Sequence, residues 1–201
     1  MSQKIQPIFL TLFMALLFSG CMTEQMIMPS VISGTALKAE DAAEVGLSKV
    51  QDLRANQEGG SIGGLKIVIA KDLGDYLEGV LKEGLILKGF KVVDAVNPQE
   101  SGMPDTNVIL VSLKAANIST FDSVMAPAVA DIALTVQVYG KDGKVTFAKS
   151  FTADNSKRLW FTAGGKKIGR VMAVAADQVT NKILTDQEFL NAIGAGKEEE
   201  L

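Results

Sequence analysis

The stretch Ala130–Tyr139, ADIALTVQVY, decides the fold. Its apolar residues Ala130, Ile132, Leu134, Val136 and Val138 alternate with Asp131, Thr135 and Gln137. That is the period of a strand with one buried face and one wet face. Gly140-Lys141-Asp142-Gly143 follows as a tight connection, and Val145–Ala153 returns as a second strand. The pair reads as an antiparallel hairpin.

Working upstream, Asn107–Ala116 is another apolar run, with Ile109, Val111 and Leu113 on one face, and the apolar connection Phe121–Val129 joins it to the hairpin. Asn97–Pro104 reads as a loop and Phe90–Asp94 as a strand. Between Asp72 and Gly89, Leu73, Tyr76, Leu77, Val80, Leu81 and Leu85 recur at helical spacing. Asp72 and Asp75 suit the positive end of that helix, and Gly89 stops it. Leu65–Ile69 is a short β-branched strand, Ala55–Gly64 a glycine-rich loop, and Val45–Leu53 the first strand.

Downstream, Ile168, Val171, Met172, Ala175, Val179 and Ile183 place a long helix over Lys166–Leu184. Thr185-Asp186-Gln187-Glu188 fits a capping box with Thr185 as cap and Leu184 and Phe189 as the staple, opening a last helix that ends at Gly194. The expected order is β-β-α-β-β-β-β-α-α. This is an α+β class, a mostly antiparallel mixed sheet covered on one face by two main helices.

The N-terminus carries a different signal. Met1–Gly20 has one positive charge, Lys4, an apolar core from Ile8 to Phe18, and the small pair Ser19-Gly20 before Cys21. The run is too short for a spanning helix, which needs about 20 apolar residues, and it reads as a signal peptide. Phe18-Ser19-Gly20-Cys21 resembles the lipobox of bacterial lipoproteins, with Phe18 where leucine is usual. The resemblance implies diacylglyceryl transfer to the Cys21 sulfur, cleavage before it and acylation of the new amine. Several acyl chains at roughly 0.8 kcal/mol per buried CH₂ make a stable anchor. Lipidation also accounts for a cysteine count of one. Met22, where aspartate would signal inner-membrane retention, implies the outer membrane and its periplasmic face.

The expected organisation is a leader over 1–20, a lipidated Cys21 and tether over 21–44, one α+β domain over 45–194 and a disordered acidic tail over 195–201. The 201 residues hold 20 Lys and Arg against 23 Asp and Glu, a net charge of −3, and no histidine. There is no basic excess for nucleic acid, and no polybasic patch for anionic lipid is expected. Without histidine there is no Ser-His-Asp triad, no Cys-His pair and none of the common histidine metal sites. The expectation is a non-catalytic protein with no cofactor and no metal, whose partners are the membrane, through the anchor, and another envelope protein.

The residues taken together resemble the YajG family of bacterial lipoproteins. The matching features are the lipobox, Val45-Gly46-Leu47 leading to Asp52-Leu53-Arg54, and the helix from Asp72-Leu73 with its exit at Lys88-Gly89-Phe90. Ala130-Asp131-Ile132-Ala133 and the closing Leu184-Thr185-Asp186 with Glu188-Phe189 complete the set. The resemblance spans roughly Val45–Ile193, implies an outer-membrane lipoprotein facing the periplasm, and transfers no catalytic residue.

Three features are candidates for contact. Lys157-Arg158-Leu159-Trp160-Phe161 sets two cations beside two aromatics, one of them the single Trp. Such residues are enriched at binding hot spots and membrane interfaces, and two readings stand, a partner surface or a lid folded onto the core. Phe121 and Met125 lie in a connection more apolar than soluble loops usually are; it is either a partner groove or a strand extension. Asp52 and Arg54 are either a polar-ligand site or a turn closed by a surface ion pair. Gly164-Gly165-Lys166-Lys167 lacks the spacing of a phosphate loop; anion binding at that helix start through amides and lysines is the alternative reading. A lipid- or peptide-binding lipoprotein of the envelope, such as a transport-auxiliary protein, is the alternative function.

Overall fold

In the computed structural model, the alternating stretch lies within a longer strand, and its five apolar residues are buried together. The structure describes residues 23–25, 42–55, 58–62, 65–69, 72–101, 104–120, 125–160 and 165–194. The leader, Cys21 and the tail over 195–201 lie outside the described residues. In chain order the elements are β1 (Thr23–Gln25), β2 (Glu44–Ser48), β3 (Gln51–Asp52), β4 (Glu58–Ile62), β5 (Leu65–Val68), α1 (Asp72–Leu87), β6 (Lys91–Ala95), α2 (Pro98–Ser101), β7 (Asn107–Thr120), β8 (Met125–Tyr139), β9 (Val145–Trp160), α3 (Gly165–Leu184) and α4 (Gln187–Ile193).

The main sheet runs β6-β2-β7-β8-β9, with β3 beside β7. β7, β8 and β9 form an antiparallel meander, and β2, β3 and β6 add parallel pairs. The predicted α+β sheet is therefore the observed one, with additions. The hairpin turn closes as expected: the Gly140 N–H donates to the Lys144 carbonyl at 2.8 Å and the Gly143 N–H to the Gly140 carbonyl at 2.9 Å.

One face of the sheet carries the core. Val45 and Leu47 of β2, Ile109, Val111 and Leu113 of β7, the inward residues of β8, and Phe147 and Phe151 of β9 meet α3 through Ile168, Val171, Met172, Ala175 and Val179. α1 packs on α3 and β6, burying Leu73, Leu77, Leu81 and Leu85. The Tyr76 hydroxyl donates to Asp177 Oδ1 at 2.8 Å, joining the two helices. Burial, and then that bond, push the phenol well above its usual range. α1 ends in a Schellman arrangement: the Gly89 N–H reaches the Ile86 carbonyl and the Phe90 N–H the Leu85 carbonyl, with Gly89 at φ +89°.

Four local expectations are corrected. The glycine-rich stretch expected as a loop over 55–64 holds β4, which pairs antiparallel with β5 in a small sheet ordered β1-β5-β4. Glycine allows this because Gly60 lies at φ +108° with its α-carbon against the Ile118 main chain. The strand expected over 45–53 is two strands, β2 and β3, both laid along β7. The 97–104 loop holds the short α2, whose Gln99 donates to the Tyr139 hydroxyl at 2.9 Å. The cap of α4 is Asp186, whose carboxylate accepts the Phe189 N–H at 3.0 Å, and not Thr185. The Thr185 hydroxyl is engaged behind, donating to the Asn181 carbonyl at 2.8 Å.

The expected tether is laid against the domain at its start, because Thr23–Gln25 pairs in parallel with Lys66–Val68.

Candidate contact surface

Four of the contact residues expected from sequence, Met125, Lys157, Arg158 and Trp160, lie at one end of the main sheet. β8 and β9 pair from Met125 opposite Trp160, through Pro127 opposite Arg158 and Ala128 opposite Lys157. The β8–β9 register carries the apolar connection into the sheet: Ala128 has no exposed surface, so over 125–129 the strand-extension reading is the observed one. Phe121 and Phe161 lie outside the described residues.

Lys157 and Arg158 are both exposed on β9. Alternation sends them to opposite faces, Lys157 to the side of Phe151 and Ala153, which is the helix side, and Arg158 to the outer side. Asn155 donates through Nδ2 to the Val171 carbonyl at 2.9 Å, and the Lys182 ammonium reaches the Thr152 carbonyl at 2.7 Å. Together these contacts set α3 antiparallel to β9, so the start of α3, with exposed Lys166, Lys167 and Arg170, lies level with Lys157 and Arg158.

Asp52 and Arg54 are elsewhere, at the end of β3. The Arg54 guanidinium donates to both Asp52 oxygens at 2.8 and 2.6 Å and to the Ile69 carbonyl at 3.4 Å. The Arg54 N–H also donates to Asp52 Oδ1 at 3.2 Å, so the expected turn closed by an ion pair is the observed one, with the Arg54 side chain 4% exposed and the Asp52 carboxylate, 31% exposed, at the surface. Those bonds hold the Asp52 carboxyl below its usual range against the opposing effect of burial.

A feature that the sequence reading did not assemble sits on the outer face. Asp131 and Asp154 are directly opposite each other across β8 and β9, in an open concavity of about 270 Å³ lined also by Ala115, Ala133 and Thr152. The outward position of Asp131 is legible from alternation, but its partner follows from the hairpin register, which a bulge at Val138/Tyr139 shifts. Among the described residues no group of three or more His, Cys, Asp or Glu side chains is placed to hold a metal. No helix among them is long and apolar enough to cross a membrane.

Comparison with known proteins finds a family and several similar solved structures. Residues 34–194 match the family model Lipoprotein_16, described as "Uncharacterized lipoprotein". No curated protein matches. Solved structures with similarity include a minor lipoprotein from Acinetobacter baumannii, 13% identical with a TM-score of 0.47, covering 73% of this chain and 90% of that one. A PelC dodecamer from Paraburkholderia phytofirmans is 14% identical with a TM-score of 0.41, covering 81% and 95%. The lipoprotein GNA1162 from Neisseria meningitidis is 10% identical with a TM-score of 0.41, covering 69% and 99%.

Proposed function

We propose that this chain, which belongs to the uncharacterized-lipoprotein family matched over 34–194, is cut before Cys21 and lipidated on its sulfur. It then resides at the periplasmic face of the outer membrane as a non-catalytic accessory or scaffold for another envelope component. Within the family we read it as YajG-like, on the residues quoted above. The division into leader 1–20, anchor and tether 21–44, domain 45–194 and tail 195–201 is part of the same proposal.

The observation that carries it is the position of β1. Thr23 is already hydrogen-bonded into the domain's small sheet. A cut before Cys21 would thus remove the apolar leader and leave every described strand intact. The leader's own pattern, a lone cysteine after Phe18-Ser19-Gly20, supports cleavage at that point.

Two further points favour a scaffold over an enzyme or a ligand carrier. The chain has no histidine, which removes the commonest general base. The space between sheet and helices, where a lipid or peptide would lie, is filled by Leu47, Ile109, Val136, Met172 and their neighbours.

The test is the mass of the mature protein together with fractionation of Cys21→Ser. The expected result is an acylated Cys21 as the first residue and release of the variant from membranes. A free thiol, a retained leader or an unchanged membrane fraction overturns the anchor. Crosslinking in intact cells is expected to recover an envelope protein; recovery of none overturns the scaffold role.

A further inference from the structure

The short lead between Cys21 and β1 orients the domain. β1 pairs with β5 from Thr23 opposite Lys66 to Gln25 opposite Val68. The direction of β5 relative to the main sheet follows from contacts with β3 and β7. The Leu53 N–H donates to the Leu113 carbonyl, and Arg54 reaches the Ile69 carbonyl, so the end of β5 lies near the middle of β7. Gly60, which pairs with Ile67, abuts the main chain of Ile118, further along β7. β5 therefore runs against β7, and Lys66 and Thr23 lie toward the Thr120 end. That is also the end where β8 begins at Met125, β9 finishes at Trp160 and α3 starts at Gly165.

Cys21 is two residues before Thr23, so its α-carbon lies within about 7 Å of that of Thr23. A lipid on Cys21 holds this end, and no other, against the bilayer. The same end carries Lys66 beside Thr23 and, on β9 and α3, five further exposed cations: Lys157 and Arg158 on β9, and Lys166, Lys167 and Arg170 in the first turns of α3. None of the five makes an ion pair with a carboxylate among the described residues. α3 has no acidic residue in its first turn, so cations occupy the end where the helix dipole disfavours them. The first described carboxylates met along these elements are Asp154, four residues back along β9, and Asp177, seven residues beyond Arg170.

We propose that this end is a bilayer-facing surface, on which Lys157, Arg158, Lys166, Lys167 and Arg170 engage the phosphates of anionic phospholipid headgroups. The inference rests on the lipid-anchor reading for its orientation. Headgroup phosphate is the occupant because the anchor's attachment point and the cation cluster share one end, and the connecting chain is too short to carry the domain away. Basic side chains near an anionic surface each add attraction that salt screens.

The test separates the surface from the anchor by using the leaderless chain with Cys21→Ser, which carries no lipid. This chain is expected to float with phosphatidylglycerol vesicles, not with phosphatidylcholine vesicles, and to be released by high salt. Replacing all five cations by Gln is expected to weaken flotation at least about tenfold, while Lys141→Gln with Lys144→Gln at the far end leaves it unchanged. Circular dichroism of each variant establishes that it is folded. Failure of the folded parent to bind phosphatidylglycerol vesicles, or equal loss in the far-end control, overturns the surface and leaves the anchor standing. Amine labelling of the lipidated protein in the same vesicles is the second readout. Lys157, Lys166 and Lys167 are expected to be protected relative to Lys141 and Lys144, and protection of the far end instead overturns the orientation. Flotation unchanged by the five-cation replacement assigns the patch to a protein partner and overturns the proposal.

Discussion

Arg54 closes on Asp52 through two hydrogen bonds of 2.8 and 2.6 Å while itself only 4% exposed, which makes this pair a structural staple. Removing Arg54 leaves an Asp52 carboxylate that water can reach, so the loss is that of the charged hydrogen bonds. Arg54→Ala is expected to destabilise the protein by about 1.5–3 kcal/mol, the usual worth of hydrogen bonds to charged groups, and urea unfolding measures it. The pH dependence follows from Asp52, whose carboxyl is held below the usual carboxylate range chiefly by the Arg54 hydrogen bond. A lowered carboxylate contributes stability that is full above its unfolded pKa and is lost as pH falls through the folded one. The difference between wild type and Asp52→Asn is therefore expected to be constant near neutral pH and to shrink below about pH 4.

Gly60 tests the strand that replaced the expected loop. At φ +108°, with an added β-carbon falling 2.1 Å from the Ile118 carbonyl oxygen, an alanine meets both backbone strain and main-chain atoms that cannot turn aside. Gly60→Ala is expected to cost more than about 1 kcal/mol, read as a lower urea midpoint. An unchanged midpoint would mean that β4 does not lie on β7.

Asp131 and Asp154 face each other across the hairpin, and like charges directly opposite in a sheet repel. Asp154→Asn is expected to raise stability by about 0.5 kcal/mol, with the gain smaller in high salt. A fall in melting temperature would show that the pair has a partner that offsets the repulsion.

The cap of α4 distinguishes two adjacent residues. Asp186→Ala removes the acceptor of the Phe189 N–H and is expected to cost about 1 kcal/mol. Thr185→Ala loses a hydroxyl bonded back to the Asn181 carbonyl and is expected to cost less than Asp186→Ala. Thermal melts of the two variants check the order, and the reverse order would restore Thr185 as the cap.

Legibility in the sequence followed the range of the interaction. The alternation in Ala130–Val138, the helical spacing from Leu73 to Leu85 and from Ile168 to Ile183, and the glycine stops at 89 and 194 are local patterns. Burying one face demands them whatever the partner. Lys157, Arg158, Trp160 and Met125 were legible as candidates for the same reason, as unusual neighbours along the chain.

What local patterns could not reach was who lies beside whom. β1 and β4 carry little apolar signal of their own and become strands only because β5 supplies hydrogen-bond partners. The burial of Arg54 depends on β5 closing over it, and the meeting of Asp131 with Asp154 depends on a bulge that shifts the register. The sequence alone determined the α+β layer, because periodicity and hydrophobicity are properties of the chain itself. Only the tertiary structure decided that Thr23 is strapped into the sheet beside the basic end, because strand pairing joins residues that the chain keeps far apart.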